Sequence, residues 1–140
     1  MKRGILVLCW IILIAVNSCV TGDQGESGTF VPDADNIQIV LFHLAQRCES
    51  CNAVEQETRD LLELEFREEV LAEKIRFISL DFQTENGKRA ASFLGASGQS
   101  LYVVRGARME NLTSAAFMYA STHPEYYHEA LRKALDNFLE

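Results

Sequence analysis

Proline is almost absent from this chain. Of 140 residues only Pro32 and Pro124 are proline, so nothing between them interrupts a helix interior or a ladder of strand hydrogen bonds. The sequence also has no internal repeat and no low-complexity tract, which sets aside repeat arrays and biased linker-like chains. Basic residues are short as well: 13 Lys and Arg stand against 20 Asp and Glu, for a formal charge of −7. That balance excludes nucleic acid as a partner, because phosphate binding needs a basic face. The acids instead read as solvated helix faces. The apolar run from Ile5 to Val16 falls short of the ~20 residues that a comfortable membrane span requires. What is present, 48% hydrophobic and 24% charged residues, suits one globular domain and leaves no room for two good cores.

The N-terminus reads as a targeting segment. Lys2 and Arg3 precede the uncharged run Ile5 to Val16, and Asn17, Ser18 and Cys19 follow at once. Positive residues, a short apolar stretch and a small residue before a break form a signal peptide, assigned here to residues 1–18. Val16-Asn17-Ser18-Cys19 resembles a bacterial lipobox, with an aliphatic residue three before a cysteine and a small residue just before it. On that reading Cys19 is the lipidated first residue of the mature chain. The alternative is an uncleaved N-terminal anchor with Cys19 as a bystander. Both put the domain outside the cytoplasm, on the periplasmic side of a membrane. Residues 19–36, rich in Gly, Ser, Thr and Asp with Pro32, read as a flexible linker.

Four cysteines then sort themselves. Cys9 leaves with the signal segment, and Cys19 is the lipidation candidate. Only Cys48 and Cys51 belong to the folded part, residues 37–140. A bond between residues three apart closes a very small loop and adds little stability by restricting the unfolded chain. That argues against a structural staple and, in an oxidising compartment, for a redox pair.

The order of elements surrounds this pair with a recognisable frame. Asn36 to His43 is a near-continuous β-branched and aromatic run, as in a strand buried on both faces. From Cys51 to about Lys74 the pattern is helical, with Val54, Leu61, Leu62, Phe66 and Val70 on one side and acids on the others. Ile75 to Phe82 reads as a second strand, Thr84 to Leu94 as a shorter helix capped by Gly95, and Ser100 to Val104 as a third strand. Arg105 to Arg108 turns into a fourth strand near Met109 to Leu112. Pro124 to Leu139 closes the chain as a helix with Tyr127, Leu131, Leu135 and Phe138 on one face. A βαβ unit followed by a hairpin and a helix is the thioredoxin arrangement: an α/β fold with a central four-stranded mixed sheet flanked by helices. A C-x-x-C opening the helix after the first strand is its specific signal.

Thiol–disulfide exchange needs one thiolate and a second cysteine close enough to resolve the mixed disulfide. Cys48 at a helix N-terminus meets the first need, since unpaired N–H groups and the macrodipole favour negative sulfur. Arg47 adds positive charge there, and Glu49 opposes it. Cys51, one turn along, is the expected resolving sulfur; the plain alternative is a passive bridge or two buried thiols. His43, five residues before Cys48, is a candidate acid/base or a third metal ligand, or else an inert side chain between sheet and helix. Asp81 ends the second strand, either as an acid near the resolving thiol or as a turn residue. His123 and His128 lack ligand partners at convincing spacing and read as surface residues. Asn111-Leu112-Thr113 fits a glycosylation sequon, which has little force in a bacterial lipoprotein.

From Phe42 to Cys51 the sequence FHLAQRCESC resembles a bacterial thioredoxin-like family labelled nitrophenyl compound nitroreductase subunit, of the ArsF type. Its pattern F-H-x-x-x-R-C-x-x-C, a strand ending in an acid and a late Asn-Leu fall on Phe42, His43, Arg47, Cys48, Cys51, Asp81, Asn111 and Leu112. The resemblance covers residues 37–140 and implies a thioredoxin-like fold with the CxxC as its site. Thioredoxins carry a cis-proline just before the third strand, whereas this chain has Gln99 or Ser100 at that place. In thioredoxins that proline docks substrate backbone and keeps metals from the thiols, so its absence eases capture of a soft metal or metalloid. Nitro reduction needs an electron-carrying cofactor, typically a flavin, and the chain has no phosphate-cradling glycine motif.

The functional expectation is a membrane-tethered, extracytoplasmic thiol–disulfide oxidoreductase or electron-relay subunit. It uses Cys48 and Cys51 with Arg47 and Asp81, needs no cofactor beyond its own disulfide, and has a redox protein of the cell envelope as partner. Two alternatives use the same scaffold. One is a soft-metal or arsenite-binding module on Cys48, Cys51 and His43, because vicinal thiolates suit soft ions. The other is a non-catalytic adaptor, since a fold does not fix a function.

Overall fold

A computed structural model describes residues 30–140. The predicted signal segment, Cys19 and the linker as far as residue 29 lie outside the described residues. Among the described residues no helix is long and apolar enough to cross a membrane.

Four strands form one mixed sheet: β1 (Ile37–His43), β2 (Ile75–Asp81), β3 (Ser100–Arg105) and β4 (Arg108–Asn111). Their order is β2-β1-β3-β4. β1 runs parallel to β2 and antiparallel to β3, and β3 pairs antiparallel with β4. The parallel β1–β2 pair requires a crossover, which α1 (Glu49–Glu65) and α2 (Arg67–Leu71) supply. α3 (Glu85–Leu94), α4 (Thr113–Tyr119) and α5 (Pro124–Leu139) complete the chain. The result is an α/β domain with a four-stranded mixed sheet flanked by helices, compatible with a thioredoxin-like fold.

Strand alternation divides the core in two. Ile37, Ile39 and Leu41 of β1, with Leu101 and Val103 of β3, face α1, α4 and α5. Val40 and Phe42, with Ile78, Leu80, Tyr102 and Val104, face Ala90, Ala91 and Leu94 of α3. β1 is therefore buried along its whole length, and its continuous apolar reading follows from having helices on both sides. The period of two has a further consequence. His43 follows Leu41 onto the α1 face, as Ser79 follows Ile75 and Phe77 on β2. Leu41 pairs with Ser79 and His43 with Asp81, so a polar end is built into the α1-facing layer beneath the start of α1.

Three features depart from the sequence expectation. The single helix expected from Cys51 to about Lys74 breaks at Phe66, whose backbone leaves the helical region (φ −122°, ψ 22°). The break keeps the Phe66 ring in the core but rotates the following turn outward, leaving Val70 39% and Leu71 74% exposed. Val70 is thus not a core residue. α4 has no counterpart in the expected elements; its N-cap, Leu112, has no capping side chain, and the Thr113 amide instead donates to Asn111 Oδ1 at 2.9 Å, one residue before the usual position of the start signal. The last residues of the predicted linker lie on the domain: Phe30 and Asn36 are buried, and the Gly106 amide donates to the Asp33 carbonyl at 2.5 Å.

α5 docks onto α1 through polar as well as apolar contacts. Buried Tyr127 meets Thr58 Oγ1 at 2.6 Å, and that hydroxyl donates to the Val54 carbonyl. Tyr127 is therefore the donor of the pair. Half-buried His128 lies 2.9 Å from the Glu57 carboxylate. His123 stays exposed, beside Tyr126. Tyr102 is a core residue whose hydroxyl accepts from Asn111 Nδ2 at 3.3 Å.

Candidate functional site

The chain leaves β1 at His43, crosses Leu44 to Arg47, and enters α1 at Cys48. Cys48 is the N-cap in extended conformation (φ −85°, ψ 165°), with no side-chain cap bond. Its carbonyl accepts the first helical bond, from the Asn52 amide at 3.2 Å. The side chain is left at the mouth of unpaired helix N–H groups. Cys51, one turn later, falls on the face that carries Val54, Thr58, Leu61 and Leu62 into the core. One cysteine is accordingly exposed and the other buried.

The two sulfurs lie 3.2 Å apart, and their surroundings push them in opposite directions. The Cys51 thiol and then the Cys51 backbone amide hold Cys48 below the ordinary thiol range, with Gln99 adding to the effect. Burial first, and then the neighbouring Cys48, push the Cys51 thiol up to about 11. The proton of the pair therefore stays on Cys51, and the negative charge forms at the sulfur that solvent can reach.

Arg47 does not lie against Cys48. Its guanidinium turns beneath α1 to pair with the Glu55 carboxylate and reaches His43 Nε2 and Ser79 Oγ, each at 2.9 Å. Ser79 Oγ in turn donates to Glu55 at 3.2 Å, and Arg59 donates to the other Glu55 oxygen at 2.8 Å. These two cations outweigh the burial of Glu55 and hold its carboxyl below the usual range. The Arg47 charge still acts on the site, as one of the effects that lower Cys51. Glu49 is exposed in the first turn of α1.

His43 is buried and both of its ring nitrogens are engaged. Nδ1 lies 2.9 Å from the Leu44 carbonyl, which can only accept, and Nε2 faces Arg47, which can only donate. His43 is thus a Nδ1–H tautomer facing the Arg47–Glu55–Ser79 cluster, not a third ligand beside the sulfurs. Among the described residues no group of three His, Cys, Asp or Glu side chains gathers where a metal ion could bind. Asp81 acts as a turn residue: its carboxylate accepts from the Gln83 amide at 2.8 Å, and its carbonyl accepts from the Thr84 amide.

Sequence reasoning passed over Glu55 and Ser79, and placed Gln99 only as one of the two residues at the thioredoxin cis-proline position, with no role of its own. Glu55 is one acid among many on α1. Ser79 carried a signal in its strand parity with Ile75 and Phe77. Gln99 comes from the entry to β3, where its Nε2 donates to Cys51 Sγ at 2.9 Å and lies 3.6 Å from Cys48 Sγ. Beside it opens a polar hollow of about 460 Å³ lined by Ser97, Ser100, Asn111 and Thr113 among others. A larger hollow of about 710 Å³ between α1, α2 and β2 includes neither cysteine.

No protein-family model matches the chain, and no curated protein matches it. Fold and site nevertheless define a class by geometry: an α/β domain with one exposed and one buried cysteine a helical turn apart where its first helix begins.

Proposed function

We propose that this chain is a thioredoxin-like thiol–disulfide oxidoreductase or electron-relay subunit, tethered on the periplasmic side of a membrane by its N-terminal segment. The observation that carries the reading is the asymmetry of the pair. An exposed sulfur with a lowered pKa stands 3.2 Å from a buried sulfur with a raised one. This is the division of labour that exchange through a mixed disulfide requires. The Cys48 thiolate attacks one sulfur of a partner disulfide, breaking the S–S bond and releasing a partner thiolate that takes a proton from water. Cys51 then gives up its proton and attacks Cys48 Sγ. The mixed disulfide breaks, the second partner thiolate leaves, and two electrons have passed from the domain to its partner. The same steps in reverse oxidise a partner dithiol. The tether rests on Lys2, Arg3, the apolar run that follows and Cys19.

A soft-metal or arsenite site on the same cysteines would have the two sulfurs alone, because His43 is turned to Arg47. Exchange, which uses two sulfurs and nothing else, is the better supported chemistry. Redox titration against a dithiol buffer is expected to give a single two-electron transition, and Cys51→Ser to accumulate a mixed disulfide at Cys48. A reduced pair that exchanges with no dithiol reagent would remove the reading.

A further inference from the structure

The second half of the exchange places a charge where the fold disfavours one. Cys51 must become anionic to attack Cys48, yet it is fully buried on the same face of α1 as Val54, Leu61 and Leu62. Desolvation opposes that charge. Arg47 and its partner Glu55, the exposed Glu49, the buried His43 and its register partner Asp81 are the titratable groups that surround the helix entry. Among the described residues none of them is hydrogen-bonded to either sulfur. Among the described residues Gln99 is the one side chain outside the pair that is.

The geometry points to Gln99 as a catalytic residue of the dithiol, one whose amide N–H groups stabilise the anion at Cys51 as it attacks the mixed disulfide, and the anion at Cys48 in the reduced pair. A primary amide carries two donors and no titratable proton, so it serves both sulfurs at every pH. Its nitrogen lies 2.9 Å from Cys51 Sγ and 3.6 Å from Cys48 Sγ. Its place is fixed from both sides. Ser100, the next residue, is buried and pairs with Phe42 of β1, while Ser100 Oγ donates to the Gly98 carbonyl at 2.9 Å. The loop thus presents the amide from the start of the interior strand β3 to the start of α1. When Cys51 loses its proton to solvent and attacks, the Cys51–Cys48 bond forms as the bond from Cys48 to the partner sulfur breaks. The Gln99 N–H groups meet the charge at the attacking sulfur before that bond is complete. An N–H donor to a charged atom strengthens as the charge develops.

This inference rests on the thiol–disulfide reading, and the experiment separates the two. Full-length protein is reduced and mixed with oxidised glutathione, and the lifetime of the Cys48 mixed disulfide is followed alongside the pH profile of Cys48 alkylation. Gln99→Leu, which keeps the bulk and loses both donors, is expected to lengthen that lifetime about fivefold and to move the alkylation midpoint upward. Gln99→Glu, which places a carboxylate at the sulfurs, is expected to exceed both effects. Gln99→Asn, which withdraws the amide by one methylene, is expected to fall between wild type and Gln99→Leu and stands in should the latter not fold. A mixed-disulfide lifetime unchanged in a folded Gln99→Leu or Gln99→Asn protein overturns the role of Gln99, whatever the alkylation midpoint does. If the wild-type protein forms no mixed disulfide at all, the redox reading itself fails. The alkylation profile then still reports whether Gln99 stabilises the Cys48 anion, and an unmoved midpoint removes that too.

Discussion

Glu55 keeps only 18% of its side chain exposed, yet every nearby donor is committed to it: Arg47 and Ser79 at one oxygen, Arg59 at the other. A carboxylate so placed is tolerable because it is paired, and removing a partner leaves a desolvated charge behind. Arg47→Met keeps the apolar stem and deletes the guanidinium. It is expected to lower stability by about 2 kcal/mol at pH 7. The pH dependence follows from the direction of the Glu55 shift. Its folded pKa lies below the ordinary 4.5, so its contribution is present above that value and is lost as pH falls through the lower, folded one. The penalty of Arg47→Met should therefore shrink toward pH 3, as the carboxyl protonates and no longer needs a cation. Urea unfolding at both pH values tests this; an equal penalty at both would mean that Arg47 acts through packing alone. The sequence made the cysteines of this site legible, because spacing and position at a helix start are local signals. Their surroundings were not legible in the same way. Arg47 was expected beside Cys48, but pairing with the Glu55 carboxylate further along α1 draws it under the helix instead. Gln99 was marked only by its place at the thioredoxin cis-proline position; that its amide reaches both sulfurs follows from β3 lying next to β1.

Elements were most legible where a side-chain pattern and a backbone signal coincide. α5 begins at Pro124 and ends at Leu139 as its apolar face and first-turn proline indicate. α3 has Thr84 as N-cap, accepting from the Gly87 amide at 3.0 Å, and Gly95 in the left-handed region at φ 68°. Where tertiary packing overrides local pattern, as at the Phe66 break, periodicity alone carried the helix too far. α4 carries little local signal because it is short and its N-cap, Leu112, has no capping side chain. One position in α3 is governed by the approach of two elements rather than by the helix itself. A Cβ at Gly87 would stand 1.9 Å from the Asp81 carbonyl oxygen, a backbone atom. Helix propensity favours alanine over glycine by about 1 kcal/mol, but here α3 would have to move off the end of β2. Gly87→Ala is expected to destabilise by about 2 kcal/mol or more, read as a lower urea midpoint at unchanged slope. A stabilised variant would show that α3 can shift freely and that its seat on β2 is not fixed by this contact.

The opposed shifts of the two thiols give the whole molecule a stability that depends jointly on pH and redox state. Cys48 has a folded pKa below the ordinary 9.0. Between those two values the unfolded chain binds more proton, so the reduced protein gains stability as pH rises toward 9.0. Cys51 behaves in the opposite way. Its folded pKa is pushed up to about 11 from 9.0, so over that interval the folded state holds a proton that the unfolded chain has released, and stability falls. The oxidised protein has neither titration, while every other ionisable group, including the raised phenol of Tyr127, is common to both states. The reduced-minus-oxidised difference in unfolding free energy should therefore rise with pH, peak near 9.0 and decline toward about 11. Urea midpoints measured for both redox states from neutral to strongly alkaline pH give this curve directly. Cys51→Ala has no oxidised form, so its reduced state is read against a Cys48→Ala/Cys51→Ala protein; that difference should show no declining limb, since no buried thiol remains to resist ionisation. The substitution should also weaken the rising limb, since the Cys51 thiol is the leading cause of the Cys48 shift. A difference that is flat across this range would mean that folding shifts neither thiol, and the assignment of attacking and resolving roles would lose its physical basis.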